Sequence, residues 1–370
     1  MIYLDAAATS FQKPVTVRRA VLDAMTRMTS PGRGFHPTAS RAAACVYACR
    51  DRAAHFFGVA EPQNVVFTFN ATHALNIAIR TLVSPWDNVV ISGYEHNAVT
   101  RPLAALGAKV RVASGRLFDQ ESVLEDFRRL LPGAKCAVCT HVSNVFGFVL
   151  PVREIAALCR ERGVPLIVDA SQSAGVLDLD FTDLGAAFVA MPGHKGLLGP
   201  QGTGLLLCGG SAEPILFGGT GSQSIDQTMP EDLPDRLEAG THNVPGIAGL
   251  GEGIRYVAPR MTAIRAQERA LTALLAERLR GCEDLELFYA GGETQTGVLS
   301  VRSARHNCET LAEELAQNGV AVRAGLHCAP FAHRSAGTLE TGTVRLSLSP
   351  FTTQRETERA AEILCRLVRA

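Results

Sequence analysis

Between about residues 60 and 210, short apolar runs rich in β-branched residues alternate with amphipathic stretches, and this alternation constrains the fold more than any other feature. Seven runs suit strands: 64–69, 88–92, 109–113, 136–140, 166–169, 186–191 and 203–208. Most are separated by helical patterns. In 152–162, for example, Ile155, Ala156 and Cys159 recur at the 3.6-residue period while charged residues fall outside it. Strands joined by helical crossovers run parallel, and helices then cover both faces of their sheet. The expected fold class is therefore α/β, with a large domain built on a mostly parallel seven-stranded sheet. Two helices precede it, one opening at Pro14 as a first-turn proline and one over 41–57.

Beyond residue 245 the rhythm changes. A long Ala/Leu/Arg-rich helix (259–280) leads to strands 285–289 and 297–301, helix 309–317, strands 321–323 and 343–347, and a closing helix 353–369. This reads as a smaller C-terminal α/β domain with antiparallel pairing. The division expected is 1–245 for the large domain and 246–370 for the small one, with segment 1–30 packing on the small domain. The Gly-, Ser-, Asp- and Pro-rich segment 218–234 reads as a loop between them.

Composition narrows the function classes. A 46% hydrophobic content over 370 residues supplies two cores of ordinary size. Lys+Arg and Asp+Glu number 36 each and are interspersed, so no basic stretch offers itself to nucleic acid. No apolar run is long enough for a membrane, and the opening "MIYLDAAATS" lacks the charged and apolar regions of a signal peptide, so a cytoplasmic location is expected. The ten cysteines are then expected to stay reduced. Cys136 and Cys139 fall on one strand and face opposite sides of the sheet, so they read as packed thiols and not as metal ligands. Cys45 and Cys49 share one face of a helix and read as core. His36, His55, His73, His141, His242, His306 and His333 lack ligand spacing, and no metal is expected.

In an open parallel sheet, ligands bind beyond the carboxyl ends of the strands. "PLIVD" delivers Asp169 to that rim, and "AAFVAM" runs into "PGHKGLLGPQGTG", which places Lys195 among glycines at the same rim. A lysine in a loop is ordinarily a solvated charge, but a desolvated one can form a Schiff base with an aldehyde. "FNATHALN" puts Thr72 in the first turn of a helix, where it is either a simple cap or part of a phosphate seat. Together the amine, the carboxylate and the anion seat match what pyridoxal 5'-phosphate (PLP) requires.

At this point the sequence resembles a known family. "GHKGLLGPQGTG", "VDASQSAG", "YEHNAV", "HVSNVFG", "RLEAGTHN" and "VRAGLHCA" follow the order found in the cysteine desulfurase and selenocysteine lyase family of the class V aminotransferase superfamily. The compact "R-x-G-x-H-C-A" form is similar to its type-II branch. The resemblance implies the PLP-dependent transferase fold type I and a set of roles. Lys195 would bind the cofactor covalently, Asp169 would face its pyridine nitrogen, and His96 would stack on its ring. Gln172 and Asn144 would lie near its phenolic oxygen. Thr72, His73, His194 and, from a second subunit, Thr241 would hold its phosphate. Arg345, with Asn144, would receive the substrate carboxylate, and a homodimer follows from the shared site.

The resemblance further implies that Cys328 takes sulfur from L-cysteine as a persulfide and releases L-alanine, for transfer to an acceptor protein. The nucleophile must be a thiolate, and an ordinary cysteine titrates near about 8.5. His327, Arg323 or the cofactor phosphate are the cations at hand. Two departures from the family pattern stand out: Pro192 replaces a serine two residues before the His-Lys pair, and Leu326 replaces the first of two histidines before the cysteine. The chain also starts closer to its "YLD" motif than typical type-II members. Selenocysteine lyase activity is the alternative reading; an aminotransferase or another β-eliminating enzyme of the superfamily is more remote. A PLP-binding scaffold without turnover lies furthest from the motif set.

Overall fold

The computed structural model describes residues 1–32 and 34–369. In chain order, the first part comprises β1 (Ile2–Tyr3), α1 (Val15–Arg27), α2 (Pro37–Phe56), β2 (Val65–Thr68), α3 (Ala71–Leu82), β3 (Asn88–Ser92), α4 (Asn97–Ala105), β4 (Lys109–Ala113), α5 (Gln120–Leu130), β5 (Cys136–Thr140), α6 (Val152–Glu161), β6 (Leu166–Asp169), α7 (Phe181–Leu184), β7 (Phe188–Pro192) and β8 (Gly204–Cys208). Seven of these strands form one sheet in the order β2-β8-β7-β6-β5-β3-β4. β8 runs antiparallel to both its neighbours, and every other pairing is parallel. The carboxyl ends of β2, β3, β5, β6 and β7 therefore share one rim.

The central strands are buried on both faces, which is why "CAVCT" and "LIVD" read as continuous apolar runs instead of alternating ones. Cys139 packs into the core on one side of the sheet and Cys136 into the core on the other, as their spacing on a strand requires. Each fully buried large apolar side chain in these layers, such as Phe146 or Ile77, contributes about 1.5–3 kcal/mol.

The remainder comprises α8 (Val244–Val257), α9 (Met261–Leu279), β9 (Leu285–Phe288), β10 (Val298–Ser303), α10 (Cys308–Gln317), β11 (Val320–Ala321), β12 (Arg323–Gly325), α11 (Pro330–Ser335), β13 (Thr343–Ser347) and α12 (Gln354–Arg369). A four-stranded antiparallel sheet, β12-β13-β10-β9, packs against α9 and α12 through a separate apolar cluster that includes Leu4. β1 pairs in parallel with β11, so the start of the chain lies against this second sheet. α8 packs on α1 and α2.

Several local expectations change. The helix expected over 41–57 begins at Pro37, because a first-turn proline is preceded by His36, whose Nδ1 accepts the Ala39 amide hydrogen at 3.3 Å. The strand expected over 321–323 divides at Val322, with β11 pairing to β1 and β12 to β13. α11 lies between β12 and β13, where the sequence pattern suggests no element. The expectation that every cysteine stays reduced is overturned: Cys282 and Cys365 form a disulfide. They lie 83 residues apart, and the packing of α12 on α9 brings them together, which no local spacing reveals.

Candidate active site

The site grows from the carboxyl ends of β2, β3, β5, β6 and β7, which share one rim of the sheet. After β2, Asn70 caps α3 by accepting the His73 amide hydrogen at 2.9 Å. Thr72 is thus not the cap; it stands in the first turn with its side chain exposed, beside backbone amides that have no intrahelical acceptor. After β3, His96 caps α4, its Nδ1 accepting the Ala98 amide hydrogen at 3.0 Å. Asp169 ends β6 and accepts the Ser171 amide hydrogen on Oδ1 at 2.9 Å. His194 and Lys195 follow β7. One cavity of about 110 Å³ is lined by Thr72, His96, Asn144, Asp169, Gln172, Pro192, His194 and Lys195.

Two opposed influences act on the Lys195 amine. Burial pushes Lys195 down to about 8, opposed by the Asp169 carboxylate, which favours the charged form. Burial likewise lowers His96, again against Asp169, and lowers His194 to about 4 with help from Lys195 and Lys13. His194 Nδ1 lies 2.9 Å from Thr9 Oγ1, and its carbonyl accepts from Ser10 and Lys13, so the N-terminal segment fixes the Lys195 turn.

Cys328 sits in a turn that sequence spacing alone does not describe. Gly325, His327 and Cys328 all have positive φ, at 97°, 49° and 56°. For the latter two this is a strained backbone, of the kind that clusters at functional sites. The turn is held by Asn144 Nδ2, which donates to the His327 carbonyl at 2.9 Å, and by the Asn97 amide, which donates to the Cys328 carbonyl at 2.7 Å. Asn144 thus spends an amide hydrogen on the cysteine turn, while its own carbonyl accepts from Arg345 Nη1 at 2.9 Å. The thiol is exposed.

Other residues land elsewhere. His327 is buried against His333, and burial pushes it far below its ordinary value, so it is a neutral ring and not the cation suggested beside the thiol. Arg323 directs its guanidinium to Asp5. His73 stacks on Phe69 instead of facing the cavity. Gln172 Nε2 donates to the Ala7 carbonyl at 3.0 Å, which leaves its second amide hydrogen free. Thr241 is exposed and lines a separate cavity with Phe69, His73, Leu216 and Glu238.

Sequence reading missed three acids. Glu95, next to His96, is buried beneath the rim; it accepts from Ser92 Oγ and the Thr140 amide, and burial lifts it to about 8. Glu268 of α9 shares a small cavity with Lys195 and Gln172, and burial raises it to about 8. Asp5 binds both Arg323 and Arg345. Asp5 lies inside the quoted N-terminal stretch and Glu95 inside "YEHNAV", but neither these nor Glu268 carries a spacing signal.

Comparison with known proteins agrees with this architecture. The sequence model of the family described as Aminotransferase class-V matches residues 2–359. A probable cysteine desulfurase of Methanothermobacter thermautotrophicus is 33% identical, with 98% of this chain and 94% of that protein covered. A cysteine desulfurase of Cronobacter sakazakii is 31% identical, covering 100% and 94%. Among solved structures, the apo cysteine desulfurase of Thermococcus onnurineus superimposes with a TM-score of 0.89 at 30% identity, over 100% of this chain and 94% of that one. The Escherichia coli cysteine desulfurase CsdA gives 0.87 at 25% identity, over 100% and 94%. A chain that carries this rim of functional groups on this sheet, and matches these proteins end to end, belongs to the class-V aminotransferase family and groups there with proteins named cysteine desulfurase.

Proposed function

We propose that the protein is a PLP-dependent cysteine desulfurase that converts L-cysteine to L-alanine and keeps the sulfur on Cys328. The observation that carries this reading is the fastening of the Cys328 turn to Asn97 and Asn144, the residues that adjoin or line the Lys195–Asp169–His96 cavity. A thiol presented there serves sulfur transfer and has no place in a simple transamination.

The residues fit the cofactor. Lys195 supplies an amine with a lowered pKa, Asp169 has an Oδ2 without a protein donor among the described residues, and His96 lies on the same cavity wall. The first turn of α3, with Thr72, together with His194 offers an anion seat. Pro192 brings no donor of its own to that wall. When bound, PLP withdraws electrons from the substrate α-carbon. Asp169 lines the same cavity and favours the charged form of the Lys195 amine beside it. Lys195, with a pKa near 8, takes and returns the substrate α-proton at Nζ. Arg345 receives the substrate carboxylate. Cys328 Sγ, as a thiolate, attacks the substrate sulfur: an S–S bond forms, the substrate C–S bond breaks, and its electron pair stays on carbon, which is protonated to alanine.

The same reading divides the chain at 245/246, with the cofactor seat in 1–245 and Cys328 and Arg345 in 246–370. It also makes the protein a cytoplasmic homodimer that delivers sulfur to an acceptor protein. Thr241, away from its own chain's cavity and beside the exposed Phe69 and Leu216, would complete the phosphate seat of a second copy. Among the described residues no helix is long and apolar enough to cross a membrane. The test supplies L-cysteine and L-selenocysteine separately and measures alanine, sulfide and selenide. Alanine from L-cysteine, lost in Cys328→Ala, supports the desulfurase; alanine from L-selenocysteine alone supports the lyase. No alanine from either ends the reading.

A further inference from the structure

Arg323 and Arg345 stand directly opposite each other on β12 and β13. Like charges at such cross-strand positions repel. Asp5 resolves the conflict: Oδ1 accepts from Arg345 Nη2 at 2.9 Å, and Oδ2 accepts from Arg323 Nη2 and Nε at 3.1 and 3.2 Å. Its backbone is fixed for the task. Asp5 bridges to Ser347, the Ser347 amide donates to the Leu4 carbonyl at 2.7 Å, and Tyr3 Oη donates to the Asp5 carbonyl at 3.1 Å.

The consequence lies at Arg345, whose side chain is 3% exposed. Asp5 holds Nη2 and the Asn144 carbonyl holds Nη1, while Nε is buried and has no partner among the described residues. An unmatched buried donor is costly unless a ligand satisfies it. We propose that Asp5 is a positioning residue of the substrate's carboxylate seat: it clamps the guanidinium so that the Nε edge of Arg345 is the one left for an α-carboxylate, and it neutralises Arg323 so that the pair offers a single net positive charge. The seat then suits an amino acid with one free carboxylate and disfavours the corresponding amide.

The inference rests on the amino-acid-binding reading above, and it is tested by binding instead of turnover. PLP-loaded full-length protein, wild type and Asp5→Asn, is titrated with L-alanine and with L-alaninamide, following the change in cofactor absorbance. The expected result is about tenfold weaker L-alanine binding in Asp5→Asn, with L-alaninamide within about twofold of wild type. An unchanged preference for L-alanine over L-alaninamide, or an equal loss for both ligands, overturns the role. If Asp5→Asn does not fold, Asp5→Glu carries the same comparison: it keeps the charge but shifts the carboxylate by one methylene, so the preference must fall, and an unchanged preference overturns the role. The two readings fail separately. Absence of alanine formation from L-cysteine by the wild type retires the desulfurase, whereas an unaltered ligand preference in the variant retires Asp5.

Discussion

The Asn97 amide nitrogen lies 2.7 Å from the Cys328 carbonyl oxygen, so the turn that carries the thiol is hydrogen-bonded to the first helical residue after His96. One end of α4 therefore places two functional groups at once. His96 caps α4 and the Cys328 turn follows β12 of the small antiparallel sheet, so a backbone hydrogen bond links the two elements.

That arrangement stores strain, and the strain can be measured. Cys328 has φ of 56°, where an L-residue with a Cβ is disfavoured by about 1–2 kcal/mol and glycine is not. Cys328→Gly is expected to be more stable than Cys328→Ala by about 0.5–1 kcal/mol in denaturant unfolding, while both lose sulfur transfer. Equal stability would show that the turn is relaxed.

The Lys195 amine gives a pH dependence of known sign. Burial lowers its pKa to about 8, so the neutral, nucleophilic amine accumulates as pH rises through 8 instead of through the ordinary lysine range. The rate at which cofactor-free protein takes up PLP should rise through the same interval. In Asp169→Asn the interaction favouring the charged amine is gone, so the midpoint moves to lower pH. A midpoint near 10 in the wild type would contradict the burial.

Glu268 titrates in the opposite sense. Burial raises the folded-state pKa to about 8 against 4.5 for the ordinary group, so the folded protein holds a proton that the unfolded chain has released between those values. Stability from this group is present below about 4.5 and is lost as pH rises toward 8. Glu268→Gln has no such proton, and its Tm should gain on the wild type steadily from pH 5 to 8. A constant difference across that range would show that Glu268 is ionised in the fold.

The Cys282–Cys365 disulfide closes a loop of 83 residues between the end of α9 and α12. Such a cross-link stabilises by about 2–4 kcal/mol, mainly by restricting the unfolded chain. Without reductant, Cys282→Ser should unfold at a lower Tm than wild type; with dithiothreitol the two should converge. Equal Tm values without reductant, together with two titratable thiols in the wild type, would mean the bond does not form.

Much of this fold was legible in the sequence because the pattern is redundant there. Each strand of the large sheet is a short apolar run flanked by turn residues, and six of the seven strands lie within one position of the expected residue at both ends. Lys195 and Asp169 were legible because strand ends in a parallel sheet converge on one rim, whereas His96 entered through the family resemblance of its "YEHNAV" motif. Asp5, Glu95 and Glu268 were not legible. Their meaning comes from tertiary contacts, such as Asp5 with Arg345 or Glu95 with the Thr140 amide, and an acid looks the same in sequence whether it will be exposed or buried. The direction of the His327 ring was hidden for a related reason. Its neighbour Cys328 follows it in sequence, but two successive left-handed residues send the imidazole toward Thr343 and the core instead of toward the thiol. The disulfide belongs with these: both its cysteines read as packing residues until α12 folds back on α9.

The central claim is that Cys328 takes sulfur from a substrate bound over Lys195. The most direct measurement is mass spectrometry of the intact PLP-loaded protein after brief exposure to L-cysteine with no acceptor or reductant present. The expected result is one added sulfur atom, located on the peptide containing Cys328, together with one equivalent of L-alanine, and neither in Lys195→Ala. Alanine formed in stoichiometric amount with no sulfur on Cys328, or with sulfur on another cysteine, would contradict it.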